Sequence, residues 1–423
     1  MSARVLHVFL AFFAARLAVE ALLLSMNLRR SRAAGAEVPP ILRAAIPPDV
    51  AARSRDYAIA KGRFALACLA WDGLVVLALL LSGALPWLDR ALASAGLAGA
   101  TRFAAFLVVL SVATGVAGVP LSIYGTFALE ARFGFNRTTP GTWVADQLKS
   151  IALGFALGVP LLYAAWFFMS ATGEGWWIWL TAFLAAVQVL LLWLYPALIA
   201  PLFNRFTPLA AGNLRTRLEE LCRATGFRTR GLFVMDASRR SSHSNAYFAG
   251  LLRPGIVLFD TLLSSMSVDE AAAVLAHEIG HFRLRHVAKR LVAGLALTAG
   301  ALWLLSRLAR WPALFEAFGF GEASWQAAVA ILALAGGSFT FFLAPLSAWV
   351  SRRHEYAADR YSVEHAGQPG ALKSALVKLN RENLSNLHPH PWYSAWHFSH
   401  PTLLDRLRGI DRAAAEAGGA GAG

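Results

Sequence analysis

Cysteine is nearly missing from this chain of 423 residues: Cys68 sits in an apolar stretch, Cys222 in an amphipathic one, and there are no others. That excludes a disulfide framework and a cysteine-ligated zinc cluster, and leaves the redox compartment undetermined. Charge is scarce as well, at 15% of residues against 57% hydrophobic, and the mean hydropathy is positive. A water-soluble domain of this length is not built that way. No internal repeat is evident, and the only low-complexity stretch is the Ala/Gly tail after 413, which reads as frayed. Lys and Arg are in excess, 39 against 25 acids. They are interleaved with apolar runs rather than gathered in one soluble stretch, which argues for the flanks of membrane helices and against nucleic acid as a partner.

Seven apolar stretches approach the ~20 residues that cross a hydrocarbon core. They lie at roughly 5–26, 63–85, 103–128, 149–170, 176–200, 287–306 and 325–350. The first carries Arg16 and Glu20 at an i, i+4 spacing, so it reads as a retained span with a polar face toward other helices rather than as a cleaved signal peptide. Gly336, Gly337 and Pro345 would kink the last one. The loop after the first span holds Arg29, Arg30, Arg32, Arg43, Arg53, Arg55, Lys61 and Arg63, whereas 86–102 holds only Arg90 and Arg102 and 171–175 no basic residue. The basic loops should face the cytoplasm, which puts the N-terminus outside.

The expected fold is therefore mainly α, a multi-pass membrane protein with a small cytoplasmic α+β unit, in the inner membrane if the chain is bacterial. Residues 1–200 form five helices with loops, and 201–286 a cytoplasmic catalytic segment. Residues 287–350 form helices six and seven, and 351–423 a cytoplasmic segment that completes the site. Within 201–286, residues 213–225 suit an amphipathic helix that Gly226 terminates. Segments 231–236, 245–249 and 256–259 suit a three-stranded sheet, with a turn at Arg253, Pro254 and Gly255. Ser267 and Glu270 form a capping-box signature that opens a helix over 268–286.

On that helix the sequence reads AHEIGH, which places His277 and His281 one turn apart on one face with Glu278 beside them. Two imidazoles at i and i+4 can share a zinc ion, and the glutamate can take a proton from water on the metal. Independent placement of the chain's His and Glu predicts about 0.01 such matches, so coincidence is a poor account. A third ligand is needed. A histidine six residues after His281 would define one large class, but Val287 stands there and cannot ligate. His286, nine residues from His277, falls on the opposite side of a continuous helix and reads as an interfacial charge. The segment 351–367 offers Glu355 and Asp359 at i, i+4, so that one carboxylate can bind zinc while the other hydrogen-bonds a ligating histidine. Glu364 and His365 read as surface residues.

These pieces, with FGFNRTT at 133–139, LYPALIAPLFNRFTPL at 194–209, SSHSNAYFAG at 241–250, IVLFDTLL at 256–263 and HFSHPTLLDRL at 397–407, resemble the type I CAAX prenyl protease family from about the third span to 410. The resemblance implies a membrane zinc endopeptidase whose seven helices enclose a large chamber capped by the metal site. It implies one zinc held by His277, His281 and Glu355, Glu278 as catalytic base, and Asn245 near substrate or metal. It also implies His400 and Arg406 around the reacting carbonyl. From the residues themselves, the strand Asn245, Ala246, Tyr247, Phe248 suits an edge that pairs with an extended peptide, or else core sheet. His400 suits an oxyanion donor or a structural histidine. His388, His390 and His397 have no assigned role, and the aromatic run 391–398 suits a substrate entrance or the membrane interface.

The expected partners are a peptide or protein substrate, prenylated or otherwise membrane-associated, and membrane lipid. Abundant Ala, Arg and Gly suggest a GC-rich bacterial source, which raises an HtpX-like membrane-protein quality-control protease as the alternative. A scaffold or transporter with structural zinc is the non-enzymatic rival, and it has no use for Glu278.

Overall fold

The computed structural model describes residues 1–250 and 254–420, so Arg253 of the expected turn lies outside the described residues. Among them, seven helices are long and apolar enough to cross a membrane. The first five come from α1 (Ser2–Ala33), α2 (Pro48–Leu81), α3 (Gly99–Tyr124), α4 (Pro140–Ala171) and α5 (Trp176–Leu194). Their helical periodicity runs past the apolar windows, because charged ends such as 29–33 and 48–63 are good helix formers in water as well. α3 and α5 each run on into a π-helical turn, Gly125–Glu130 and Tyr195–Ile199. Pro120 lies inside α3 and Pro196 in the first half of the second π turn.

The polar unit follows, with β1 (Phe206–Pro208), α6 (Asn213–Ala224), β2 (Leu232–Met235), β3 (Ala246–Ala249), β4 (Gly255–Phe259) and α7 (Val268–Arg283). The sheet has four strands in the order β1-β2-β4-β3, not three. β1 is the strand the sequence did not reveal, since three residues ending in Pro208 carry no alternation, and it pairs antiparallel to β2. β2 runs parallel to β4, and β3 runs antiparallel to β4 at the sheet's other edge. Gly226, with φ +60°, ends α6. Its neighbour Phe227 donates back to Cys222 O at 2.8 Å.

The chain then continues through α8 (His286–Leu308), α9 (Trp325–Thr340), α10 (Ala344–Ala366), α11 (Pro369–Glu382) and α12 (Leu403–Ala420). The seventh span breaks at a 3-10 turn, Phe341–Leu343, just before Pro345, while Gly336 and Gly337 stay helical. The tail expected to fray is helical to Ala420.

The membrane helices share one apolar core, which includes Phe9 of α1, Leu80 of α2, Phe103 of α3, Met169 of α4, Trp176 of α5, Leu305 of α8 and Ile331 of α9. Those positions alternate between the starts and ends of successive helices, so they all lie at one end of the bundle, away from the polar unit. Met169 is the only buried residue of α4. Leu148, Phe167, Trp179 and Leu297, all on these helices, are exposed.

Candidate metal centre

Two features fix α7 before any ligand is considered. Ser267 Oγ accepts from the Glu270 amide at 3.3 Å while Glu270 Oε2 accepts from the Ser267 amide at 2.7 Å, closing the capping box. Glu270 also takes bonds from Lys378 at 2.7 Å and Ser374 at 2.6 Å of α11. Further along, α7 meets α10 at Gly280. A Cβ there would stand 3.0 Å from Tyr361 Cβ and 3.2 Å from Ala358 Cα, so the hydrogen side chain sets how close the two helices come.

That approach carries Glu355 onto the two histidines. His277 Nε2 and His281 Nε2 are 3.2 Å apart. Glu355 Oε2 is 3.5 Å from the first and Oε1 is 3.2 Å from the second. Ligands held at about 2.0–2.1 Å in a tetrahedron around zinc stand about 3.3–3.4 Å from one another, close to the spacing between the two nitrogens and from each nitrogen to its nearer Glu355 oxygen. Glu355 is 2% exposed, and its Oε2 is buried without a hydrogen-bond partner. A buried carboxylate oxygen left without a proton donor is costly unless a cation meets it. His277, His281 and Glu355 thus form a metal-binding triad.

The surrounding residues orient the ligands. His277 Nδ1 donates to Asp359 Oδ1 at 2.8 Å. Arg406 of α12 grips the same carboxylate through Nε at 2.9 Å and Nη2 at 2.5 Å, and its Nη1 lies 3.9 Å from Glu355 Oε2. Burial opposes a charged His277 ring, yet hydrogen bonds to Asp359 and Glu355 outweigh it and raise its pKa to about 9, which marks a cage that favours a cation. Burial pushes the Glu278 carboxyl above the usual carboxylate range, with His277 and His281 working the other way. His400 Nε2 stands 3.5 Å from Glu355 Oε1, on an otherwise exposed ring whose Nδ1 is 2.9 Å from Ser399 Oγ.

His286 is not the interfacial charge that helical spacing suggested. α7 ends at Arg283, and Arg285 takes a left-handed conformation with φ +57°, so 100° per residue no longer applies. The turn buries His286 to 3% exposure, with Nδ1 2.9 Å from His281 Nδ1 and its ring stacked 4.0 Å from His354. Neither His286 nor His354 was identified from the sequence as part of the site. The one available signal is that His354 directly precedes Glu355.

The expected substrate strand is an edge strand, but its side chains go elsewhere. Ala246 is buried in the core beneath the sheet, Phe248 packs on Phe227 and Phe282, and Tyr247 packs edge-on to Phe259 with its hydroxyl 3.8 Å from Met235 Sδ. The exposed Asn245 accepts from the Ala246 amide through Oδ1 at 2.8 Å. His388 is 2.8 Å from Glu37 O, His390 caps the amide of Trp392 at 3.2 Å, and His397 is 3.5 Å from Glu20.

Residues 27–205 match the family described as CAAX prenyl protease N-terminal, five membrane helices, and residues 208–414 match Peptidase family M48. CAAX prenyl protease 1 of Saccharomyces cerevisiae is 39% identical over 72% of this chain and 71% of its own length. The CAAX prenyl protease 1 homologue of Homo sapiens is 30% identical over 92% of this chain and 91% of its own. The crystal structure of S. mikatae Ste24p superposes with a TM-score of 0.88 at 32% identity, covering 96% of this chain and 99% of that one.

Proposed function

Since the chain belongs to the M48 peptidases of the CAAX prenyl protease 1 family, we propose that it hydrolyses peptide bonds near the C-terminus of prenylated proteins, using a zinc ion held by His277, His281 and Glu355. The observation that carries this reading is the spacing of the two imidazole nitrogens and the two Glu355 oxygens, 3.2–3.5 Å, with one of those oxygens buried and without a hydrogen-bond partner. When bound, the zinc supplies Lewis acidity that makes a water nucleophilic near neutral pH. Glu278 accepts the proton from that water and passes it to the leaving amine. Arg406 and His400 donate to the carbonyl oxygen as charge builds on it, and Asp359 holds Arg406 and His277 in place. The substrate pairs as an added strand along the free backbone edge of β3, with Asn245 at its start. The metal and catalytic segments face the cytoplasm, where the basic loops lie.

The match of residues 27–205 to the CAAX prenyl protease N-terminal family and the relatives matched over most of their length support this reading over an HtpX-like quality-control protease, and peptidase family M48 membership supports it over a structural-zinc scaffold. The test is cleavage of a farnesylated CaaX peptide and its unmodified analogue by detergent-purified protein, with zinc measured alongside. We expect the farnesylated peptide to be cut preferentially. Glu278→Gln should lose about a hundred- to ten-thousand-fold in rate yet keep about one zinc per chain, and His281→Ala should lose both. A Gln variant that cuts at the parent rate ends the mechanism, and equal cleavage of both peptides ends the prenyl preference.

A further inference from the structure

At the end of the bundle nearest the catalytic unit, α1, α2 and α3 line an open cleft of about 780 Å3. Three arginines line it: Arg32 in the last turn of α1, Arg63 on α2 and Arg132 just beyond the π turn of α3. The depth of these residues follows from the shared core. Phe9, Leu80 and Phe103 mark the far end of the same three helices. At 1.5 Å per residue Arg63, Arg32 and Arg132 lie about 26, 35 and 44 Å along their helices from those positions, against about 30 Å for a hydrocarbon core. That places them toward the opposite membrane–water boundary.

Below them the lining turns apolar, with Phe64, Ala67, Leu121 and Leu129, while the exposed Tyr124 sits between the two zones. No carboxylate neutralises the arginines: among the described residues none of the three has an ion pair. Asp56, the one acid in the lining, pairs with Arg55 at 2.7 Å instead. Arg132 instead stands 5.5 Å from the ring of Phe133.

Three guanidinium groups without an ion pair, beside an apolar surface, fit an oxyanion joined to hydrocarbon, and at a membrane boundary a phosphate diester supplies that chemistry. We propose that this cleft is a binding site for an anionic phospholipid, with its phosphate on Arg32, Arg63 and Arg132 and its first acyl carbons against Phe64, Ala67 and Leu121. Guanidinium groups hold phosphate oxygens through paired hydrogen bonds, and basic pockets between membrane helices recognise anionic headgroups. The bound lipid ties α1, α2 and α3 together at the end of the bundle away from their shared core. Inorganic phosphate satisfies the arginines but leaves the apolar floor in contact with water.

The test is native mass spectrometry of the delipidated full-length protein in detergent micelles, titrated with dioleoyl phosphatidylglycerol, dioleoyl phosphatidylcholine or inorganic phosphate. We expect phosphatidylglycerol to be retained at about tenfold lower concentration than phosphatidylcholine, since each arginine near the headgroup adds to the preference for negative charge. The double variant Arg63→Gln/Arg132→Gln should abolish that preference, and Ala67→Trp, which fills the floor, should lower retention of both lipids. Zinc content and peptide cleavage should stay at parent levels in both variants. Equal retention of the two lipids by the parent overturns the proposal, as does a preference that survives in the double variant. Displacement of phosphatidylglycerol by an equal concentration of inorganic phosphate also overturns it, by making the site one for soluble phosphate. Should the double variant fail to fold, the comparison of the two lipids on the parent and the Ala67→Trp result still decide.

Discussion

His277 and His281 stand one turn apart on one helix, but their outer nitrogens meet unlike partners, a carboxylate on Asp359 and an imidazole on His286. Either partner fixes ring orientation and tautomer, and such partners are commonly worth about 10–100-fold in metal affinity. His286→Ala should therefore weaken zinc binding by about that factor in a chelator competition, while kcat with zinc in excess stays near the parent value. Unchanged affinity would show that His286 is only packing. The HExxH pair and Glu278 were readable because they depend only on the helical repeat, which the five residues 277–281 specify. The helix that carries the third ligand was readable, but its i, i+4 spacing left Glu355 and Asp359 as alternatives, and only the family resemblance singled out Glu355. His286 was not, because its position depends on a left-handed turn at Arg285 that no glycine or asparagine announces.

Helix contacts carry the site just as its ligands do. Because a Cβ on Gly280 would stand 3.0–3.2 Å from Tyr361 and Ala358, Gly280→Val should push α7 from α10 and move Glu355 off the histidines. Overpacking of this kind typically costs about 1–3 kcal/mol. Zinc content should fall together with the melting temperature, and a Val variant with full zinc would refute the close-approach argument.

The capping box yields a pH prediction. Burial disfavours a charged Glu270, but bonds from Lys378, Ser374 and the Ser267 amide outweigh it and hold its pKa below the ordinary range. A carboxylate with a lowered folded-state pKa contributes stability that is present above its unfolded pKa, about 4.3, and is lost as pH falls through the folded one. Glu270→Gln should therefore lower the melting temperature at pH 7, by about 1–3 kcal/mol in stability. The gap from the parent should narrow below about pH 4. A gap independent of pH would assign the loss to packing. The capping box itself was plain from Ser267 and Glu270, whereas β1 was invisible because its strand character comes from pairing with β2 and not from its own three residues.

At the scale of the whole molecule, the 171–175 loop and the catalytic unit lie at opposite ends of the bundle. Glu174 pairs with Arg310 at 2.8 Å on the far side, next to the core that holds Met169 and Trp176. Cysteines introduced at Ala211 and Thr172, with Cys68 and Cys222 changed to serine, should label from opposite faces of the membrane, Ala211 from the cytoplasm. Labelling from one face would contradict seven crossings. What the sequence by itself determined were the seven spans, the amphipathic helix before Gly226, the capped metal helix and its two histidines. Each is set by hydropathy or periodicity over a few consecutive residues, whatever the rest of the chain does. Only the tertiary structure decided that Glu355 meets the histidines while Asp359 and Arg406 brace them, that His286 turns inward, and that three arginines from three helices line one cleft. Those contacts join residues distant in the chain, and they form only when packing at places such as Gly280 fixes how closely whole helices approach.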